Sequence, residues 1–504
     1  MNLATIFDRH PDDAVAFISR GKNTTYGELR AAVGGFRAGL AELGLQPGDR
    51  LAIICGNNWY FVASYLAALG AGLIAVPLNP ISPPLELSAE LNAVGARGVV
   101  IGPTARTMFE TLDRSQIPGV EFFIGCGFEP TDGCSHEELV EREPTPIVER
   151  DDADLAVLMF TSGTAGSPKA AMLTHGNLRA NIAQVLSTPG NTQTADDVVF
   201  AVLPMFHIFG LNVVLGVTLA VGARLLLVER FDPISAIESI QKHSATVVTG
   251  PPTMWAAWAG LPEAPEHPFD SVRLAVSGAA RLPEEVARSM QRRYGLHLTE
   301  GYGLTEASPV VTSAIGTDAP IGSVGVPVPG LEVRLVDEDG DDVLIGDSGE
   351  LWVRGPNVFA GYWGDEEATR RAINEDGWLV TGDVATVDDD GYLYLVDRVK
   401  DLIIVSGFNV YPAEVEEVLA DHPDLVQGPY RAIIEYAKPV MLGEQVQLHE
   451  SRSGDQLNVW FVVEAGRGQA CGSNRSPLSG RPVDASPRPA RHDSGQRRIW
   501  ETPP

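Results

Sequence analysis

The chain has 504 residues, 44% of them hydrophobic and 20% charged, with a formal net charge of −29. That length is too great for a single core and implies two or more domains of ordinary globular composition. The negative charge excludes nucleic acid as a partner and argues against electrostatic docking on an anionic membrane. The four cysteines, Cys55, Cys126, Cys134 and Cys471, lie far apart without metal-ligand spacing. The stretch from Met1 to Arg9 has no apolar core of the kind a signal peptide carries, so a reduced, cytoplasmic setting is expected.

Helical and strand segments alternate through residue 300. The longest uncharged stretch, residues 59–85, is broken by Gly70, Gly72, Pro77, Pro80, Pro83 and Pro84. It reads as a buried helix over residues 63–69 followed by a core strand over 73–76, not as a membrane span. Residues 98–101 read as a strand, as does the apolar run 155–160. Residues 198–202 predict a strand, 211–221 an apolar helix, 225–228 another strand, and 272–276 a strand ending at Ser277-Gly278. This alternation predicts an α/β fold with a large N-terminal domain of mostly parallel sheets flanked by helices. Ligands on such sheets sit at the carboxyl ends of strands. From Gly322 the texture changes to short strands separated by Asp/Gly turns, which predicts a β-rich subdomain over 322–396.

The run 155–160 empties into Thr-Ser-Gly-Thr-Ala-Gly-Ser-Pro-Lys, residues 161–169. Gly163 and Gly166 put no side chain between the backbone N–H groups and an anion. The hydroxyls of Thr161, Ser162 and Thr164 add donors, and Lys169 adds a mobile positive charge. This is phosphate-handling composition, yet it differs from the common NTPase loop, which ends in Gly-Lys-Ser/Thr. Here Pro168 precedes Lys169 and Ala170 follows it.

Further motifs follow in order. Residues 203–207 read Leu-Pro-Met-Phe-His, 301–306 Gly-Tyr-Gly-Leu-Thr-Glu, and 349–355 Gly-Glu-Leu-Trp-Val-Arg-Gly. Residues 378–383 read Trp-Leu-Val-Thr-Gly-Asp, and 397–401 Asp-Arg-Val-Lys-Asp, with Ser-Gly-Phe-Asn-Val-Tyr-Pro at 406–412. In this order and spacing they resemble the adenylate-forming superfamily, which includes acyl-CoA synthetases, luciferases and the adenylation domains of peptide synthetases. The likeness runs from about residue 7 to 425, and the motifs are closest to fatty and aromatic acyl-CoA ligases.

The resemblance implies a reaction. A carboxylate attacks the α-phosphorus of ATP, pyrophosphate leaves, and a thiol, usually coenzyme A, displaces AMP from the acyl-adenylate. It also implies roles. Thr161, Ser162, Gly163, Thr164, Gly166 and Lys169 would hold the β- and γ-phosphates. Thr305 would contact the α-phosphate, and Glu306 would help hold Mg²⁺, a hard cation suited to oxygen ligands. Tyr302, Gly303, Gly278 and Ala279 would flank the adenine. Asp383, an acceptor-only side chain, would take the ribose hydroxyls. Arg398 would make a second nucleotide contact, and Gly407 belongs to the same nucleotide-binding set. His207 would line the route of acyl group and thiol. Lys400 would mark the hinge between half-reactions.

The acyl pocket is expected among Phe206, His207, Leu211, Ala279 and residues 301–303, with no Asp or Lys placed to meet an amino-acid substrate. That favours a fatty or other apolar acid. Two positions depart from the family: Ala165, where Thr is frequent, and Ala170, where Gly is usual.

Expected domains are residues 1–397, a small and atypical α+β C-terminal domain over 398–465, and a disordered tail over 466–504. Within 398–465 the likeness fades after residue 425, although 432–436 and 457–463 read as strands. The tail holds seven arginines against three acids and is rich in Gly, Ser and Pro. The family lysine expected near the C-terminus is missing, as no lysine follows Lys438, and Gln496 stands where it would fall. Three readings follow: an ATP-dependent acyl-CoA ligase impaired at its C-terminus, an acyl-adenylate ligase loading a carrier protein, and a non-catalytic binder of ATP or acyl-AMP.

Overall fold

The computed structural model describes residues 1–161 and 169–398, together with the strands Ile403–Val405, Phe408–Val410, Val446–Ser453 and Gln456–Val463. From Asp397 onward the description covers the backbone alone. The chain divides into two compact units, Met1–Leu395 and Val396–Pro504.

Three sheets build the first unit. One has seven strands in the order Cys134–Ser135, Phe122–Gly125, Gly98–Ile101, Arg50–Ile54, Ile74–Pro77, Leu155–Thr161 and Lys169–Thr174. All its neighbours run parallel except the last pair, Leu155–Thr161 with Lys169–Thr174, which is antiparallel. Every residue of Gly98–Ile101 and of Ile74–Pro77 is buried. This is why these strands read as unbroken apolar runs: a parallel sheet is covered on both faces. The expected helix of the long uncharged stretch is Trp59–Gly70, started by the Asn58 side chain, which accepts from the Phe61 amide.

The second sheet has nine strands. Six adjacent ones are parallel: Thr299–Gly303, Leu274–Ser277, Val247–Gly250, Val198–Ala201, Arg224–Leu227 and Val15–Ser19. Antiparallel strands close both edges, Val310–Ser313 and Val326–Pro327 on one side and Lys22–Thr25 on the other. A core cluster on it gathers Phe200, Ile237, Ile240, Trp255 and Trp258, each wholly buried. The third sheet orders Glu332–Val336, Gly349–Arg354, Leu379–Val387 and Leu393–Arg398, with antiparallel pairing among the first three. It supplies the β-rich portion expected after Gly322.

The apolar helix expected over 211–221 differs in pitch. It is a π-helix over Phe209–Gly216 that passes into an α-helix over Val217–Val221. The buried Asn212 amide donates to Leu178 O at 3.1 Å and to Ser308 O at 2.6 Å, so the wide turns hold the loop that follows Glu306. Such wide turns are uncommon and concentrate near functional sites.

In the second unit, Ile403–Val405 pairs antiparallel with Phe408–Val410, and Val446–Ser453 with Gln456–Val463. The latter contains the strand expected over 457–463. The strand expected over 432–436 and the tail 466–504 lie outside the described residues. No helix among the described residues is long and apolar enough to cross a membrane.

Candidate functional site

The parallel strands of the second sheet end side by side, at Ala201, Gly250, Ser277 and Gly303. Chain order then places the motif residues at one edge. Leu203 to His207 follow the first of these strands, Gly278 and Ala279 follow the third, and Tyr302 to Glu306 lie at the end of the fourth. The amide of the buried Asn57, just beyond the first sheet's strand Arg50–Ile54, joins the two sheets here. It donates to Ala201 O at 3.1 Å and Leu203 O at 2.7 Å, and its Oδ1 accepts from the Met205 amide at 2.9 Å.

Tyr302 and Asp383 meet directly. The Tyr302 phenol donates to Asp383 Oδ2 at 2.5 Å, and Asp383 is only 6% exposed. The Thr381 hydroxyl accepts from the Asp383 amide at 3.1 Å, which fixes the carboxylate at the strand Leu379–Val387. A carboxylate is an acceptor-only group, the type that suits ribose hydroxyls.

Gly278 faces the Phe209 ring, the first residue of the π-helix. A Cβ on Gly278 would stand 3.0 Å from Phe209 Cε1 and 3.1 Å from Cζ. The ring therefore packs close on bare backbone, and a side chain at 278 would crowd it. Ala279 adopts φ +71°, a left-handed conformation unusual for a residue with a side chain. Gly303 is required for a different reason: a Cβ there would stand 2.3 Å from Pro309 O, so its place in this site is set by strand packing.

Lys169 and Glu306 are brought together through a residue that the sequence did not single out. Lys169 Nζ stands 5.3 Å from the centroid of the Tyr362 ring and 4.0 Å from Asp365 Oδ2. The Tyr362 phenol donates to Glu306 Oε1 at 2.6 Å. Burial, then the Glu306 charge, hold that phenol well above its ordinary pKa, so it stays a donor. Thr305 opens the short 3₁₀ turn Thr305–Ala307 that carries Glu306. Thr161 ends the strand Leu155–Thr161, and its hydroxyl lies 3.5 Å from Lys169 O.

These residues fit a divalent cation of the Mg²⁺ type. Among the described residues no three His, Cys, Asp or Glu side chains cluster to cage a metal. A cation bound by Glu306 would share that one hard carboxylate with phosphate oxygens, as Mg²⁺ commonly does at nucleotides.

His207 keeps contact with solvent, yet the protein around it lowers its pKa by desolvation, so the ring is neutral at neutral pH. It packs on Phe206 with ring centroids 4.7 Å apart. Leu211 is buried a turn away and its amide bonds His207 O at 2.9 Å. Among the described residues, burial alone accounts for the His207 shift, with no charged neighbour contributing. Ser162, Gly163, Thr164, Gly166, Lys400, Gly407 and the Arg398 side chain lie outside the described residues.

Sequence reasoning missed Tyr362 and Glu300. The Glu300 carboxylate, 7% exposed, accepts from the Leu282 amide at 3.3 Å and the Gly322 amide at 3.1 Å. It thereby ties the loop after Gly278 to the entry of the β-rich portion. Its position directly before Gly301 was the available signal.

A profile of the AMP-binding enzyme family matches residues 3–363. A long-chain-fatty-acid–CoA ligase of Yersinia pestis is 36% identical over 447 residues, covering 82% of this chain and 79% of the relative. A 4-coumarate–CoA ligase 2 of Nicotiana tabacum is 34% identical over 413 residues, covering 80% and 76%. Among solved structures, ATP-bound MatB from Rhodopseudomonas palustris matches with a TM-score of 0.76 at 32% identity, covering 84% of this chain and 83% of that one. The anthranilate CoA ligase AuaEII in complex with anthranoyl-AMP matches with a TM-score of 0.79 at 26% identity and the same coverage, 84% and 83%.

Proposed function

The chain belongs to the AMP-binding enzyme family, and from that premise we propose that it activates a fatty acid, or a similarly apolar carboxylic acid, and passes the acyl group to coenzyme A. The reaction components are ATP, Mg²⁺ and coenzyme A. The observation that carries the reading is a pair of contacts made four residues apart on the chain: Tyr302 with the buried Asp383, a ribose-type acceptor, and Glu306 with Tyr362, on whose ring Lys169 lies, a phosphate-type pair.

In this reading Asp383 and Tyr302 anchor the nucleoside and the bare backbone at Gly278 receives the base. Lys169 swings from the Tyr362 face to the departing phosphates. Glu306 is the carboxylate that would hold Mg²⁺, which when bound would supply neutralising charge to the phosphates. Positioning and charge stabilisation are what such phosphoryl chemistry requires. The neutral His207 beside Phe206 and Leu211 forms an apolar wall for the acid. The fatty-acid class is supported by that uncharged wall and by the names of relatives at 36% identity. A cytoplasmic location is consistent with the three described cysteines, Cys55, Cys126 and Cys134, all of which are free thiols.

The test is ATP–pyrophosphate exchange by the full chain with a panel of saturated fatty acids of increasing length, aromatic acids and amino acids. Exchange driven by fatty acids and not by amino acids is the expected result. Tight ATP binding without exchange for any acid would replace the enzyme with a non-catalytic nucleotide binder.

A further inference from the structure

We propose that Tyr362 is a positioning residue for the nucleotide reaction: its phenol sets which oxygen of Glu306 is left for a cation, and its ring face gives Lys169 a resting place beside the phosphates. The inference rests on the roles assigned above to Glu306 and Lys169.

The geometry is anchored from both sides. Residues 359–363 run as an extended strip along the strand Lys169–Thr174. Gly361 O accepts from the Met172 amide at 2.9 Å, and the Trp363 amide donates to Ala170 O at 2.8 Å. Tyr362 itself bridges Ala171, and its amide donates to the Thr369 hydroxyl at 2.9 Å. At the other end of the strip the Phe359 amide donates to Glu306 O at 2.8 Å. The Phe359 ring meets Tyr362 edge-on, centroids 4.9 Å apart at 76°. The half-buried Tyr362 ring is therefore fixed relative both to the strand that begins with Lys169 and to the turn that carries Glu306.

The chemistry follows from that placement. A phenol has one proton to give, and here it goes to Glu306 Oε1. Oε2 is not used in this bond, and outer partners of this kind tune metal-binding carboxylates. The opposite feature, the ring face, attracts Lys169 weakly. Asp365 Oδ2, 4.0 Å from the ammonium, adds a second weak hold. Phosphate charges outcompete both, so Lys169 waits near its work without being trapped.

The experiment titrates Mg²⁺ at fixed ATP against the full chain and follows ATP binding by calorimetry, with pyrophosphate exchange as a second readout. Tyr362→Phe keeps the ring and loses only the hydroxyl. It should raise the Mg²⁺ concentration for half-maximal ATP binding about 10-fold, the low end for loss of an outer partner. The KM for the acid should not change. In a Glu306→Ala background the same substitution should change the Mg²⁺ requirement by less than about 2-fold, because coupled residues are not additive. A wild-type Mg²⁺ requirement in Tyr362→Phe, or an undiminished loss in the Glu306→Ala background, overturns the positioning role and leaves the proposed function standing. Unchanged Mg²⁺ dependence in Glu306→Ala alone removes the cation assignment, and with it the role of Tyr362.

Discussion

The Tyr302 phenol and the Asp383 carboxylate, 81 positions apart, lie 2.5 Å apart at the edge of the candidate site. Each thereby holds the other in a fixed orientation. Asp383→Asn replaces an acceptor-only group with one that also carries donors. Loss of a charge-assisted bond of about 1.5–3 kcal/mol should weaken ATP binding roughly 10- to 100-fold. Tyr302→Phe removes one neutral donor and should cost less, about 3- to 10-fold. Calorimetric titration checks both, and equal affinities in wild type and variants would dismiss the nucleoside assignment.

Gly278→Val should impair nucleotide binding through the Phe209 ring. The added Cβ would already stand 3.0 Å from that ring before the two methyl groups are counted. Overpacking of this kind costs about 1–3 kcal/mol, and here the strain falls on the start of the π-helix. ATP affinity should drop while the melting temperature falls only a few degrees. A variant with unchanged affinity would show that the base does not sit against Gly278.

His136 should govern part of the acid stability. It is fully buried, stacked on Phe36 at 4.3 Å, and flanked edge-on by Trp59 and Tyr60. Among the described residues neither ring nitrogen has a hydrogen-bond partner, and burial lowers its pKa to about 4. A depressed histidine pKa means that the unfolded chain binds the proton first. Its stabilisation is complete above pH 6.5 and is lost as pH falls from 6.5 through 4, by up to about 3 kcal/mol. His136→Phe fits the aromatic box without titrating. Its melting temperature should fall less steeply than that of wild type between those pH values. Parallel pH profiles would contradict the assignment.

Glu90 should act in the opposite direction. Burial first, then the Glu86 charge, raise its pKa to about 7, and its Oε2 is buried without a partner among the described residues. The folded state therefore favours the protonated form. The stabilisation is complete below about pH 4.5 and is lost as pH rises through 7. Glu90→Gln should raise stability at pH 8 by about 1–3 kcal/mol and leave it nearly unchanged at pH 4.5. Denaturant melts at the two pH values decide it, and a loss of stability at pH 8 would show that the carboxylate is instead stabilised in its charged form.

The parts of this structure legible in the sequence were local ones. The run 98–101 is apolar throughout because a parallel strand is covered on both faces, so its burial could be read without tertiary information. Motif order singled out Asp383 and Glu306 as candidates. Tyr362 was not singled out. It sits between Gly361 and Gly364, where the sequence looks like a turn, and its partners lie 56 and 193 positions away. The π-helix was equally hidden, since residues 209–216 are apolar apart from Asn212 and no periodicity marks the pitch. No motif marks His136 or Glu90, and burial, which the sequence does not display, is the first cause of their perturbed chemistry.

The strip from Phe359 to Trp363 bears on how such a chain can vary through descent. Its ends are pinned by backbone bonds to Glu306 and Ala170, and Gly361 adopts φ +112° with Thr369 2.5 Å from where a Cβ would lie. With both ends pinned, gaining or losing one residue would move Tyr362 out of register with Ala171 and Glu306. Exchanges such as Phe359 for another large apolar residue keep the path intact, whereas a single insertion or deletion breaks it. Between the turn that carries Glu306 and the strand that begins with Lys169, it is the number of residues that inheritance has to preserve.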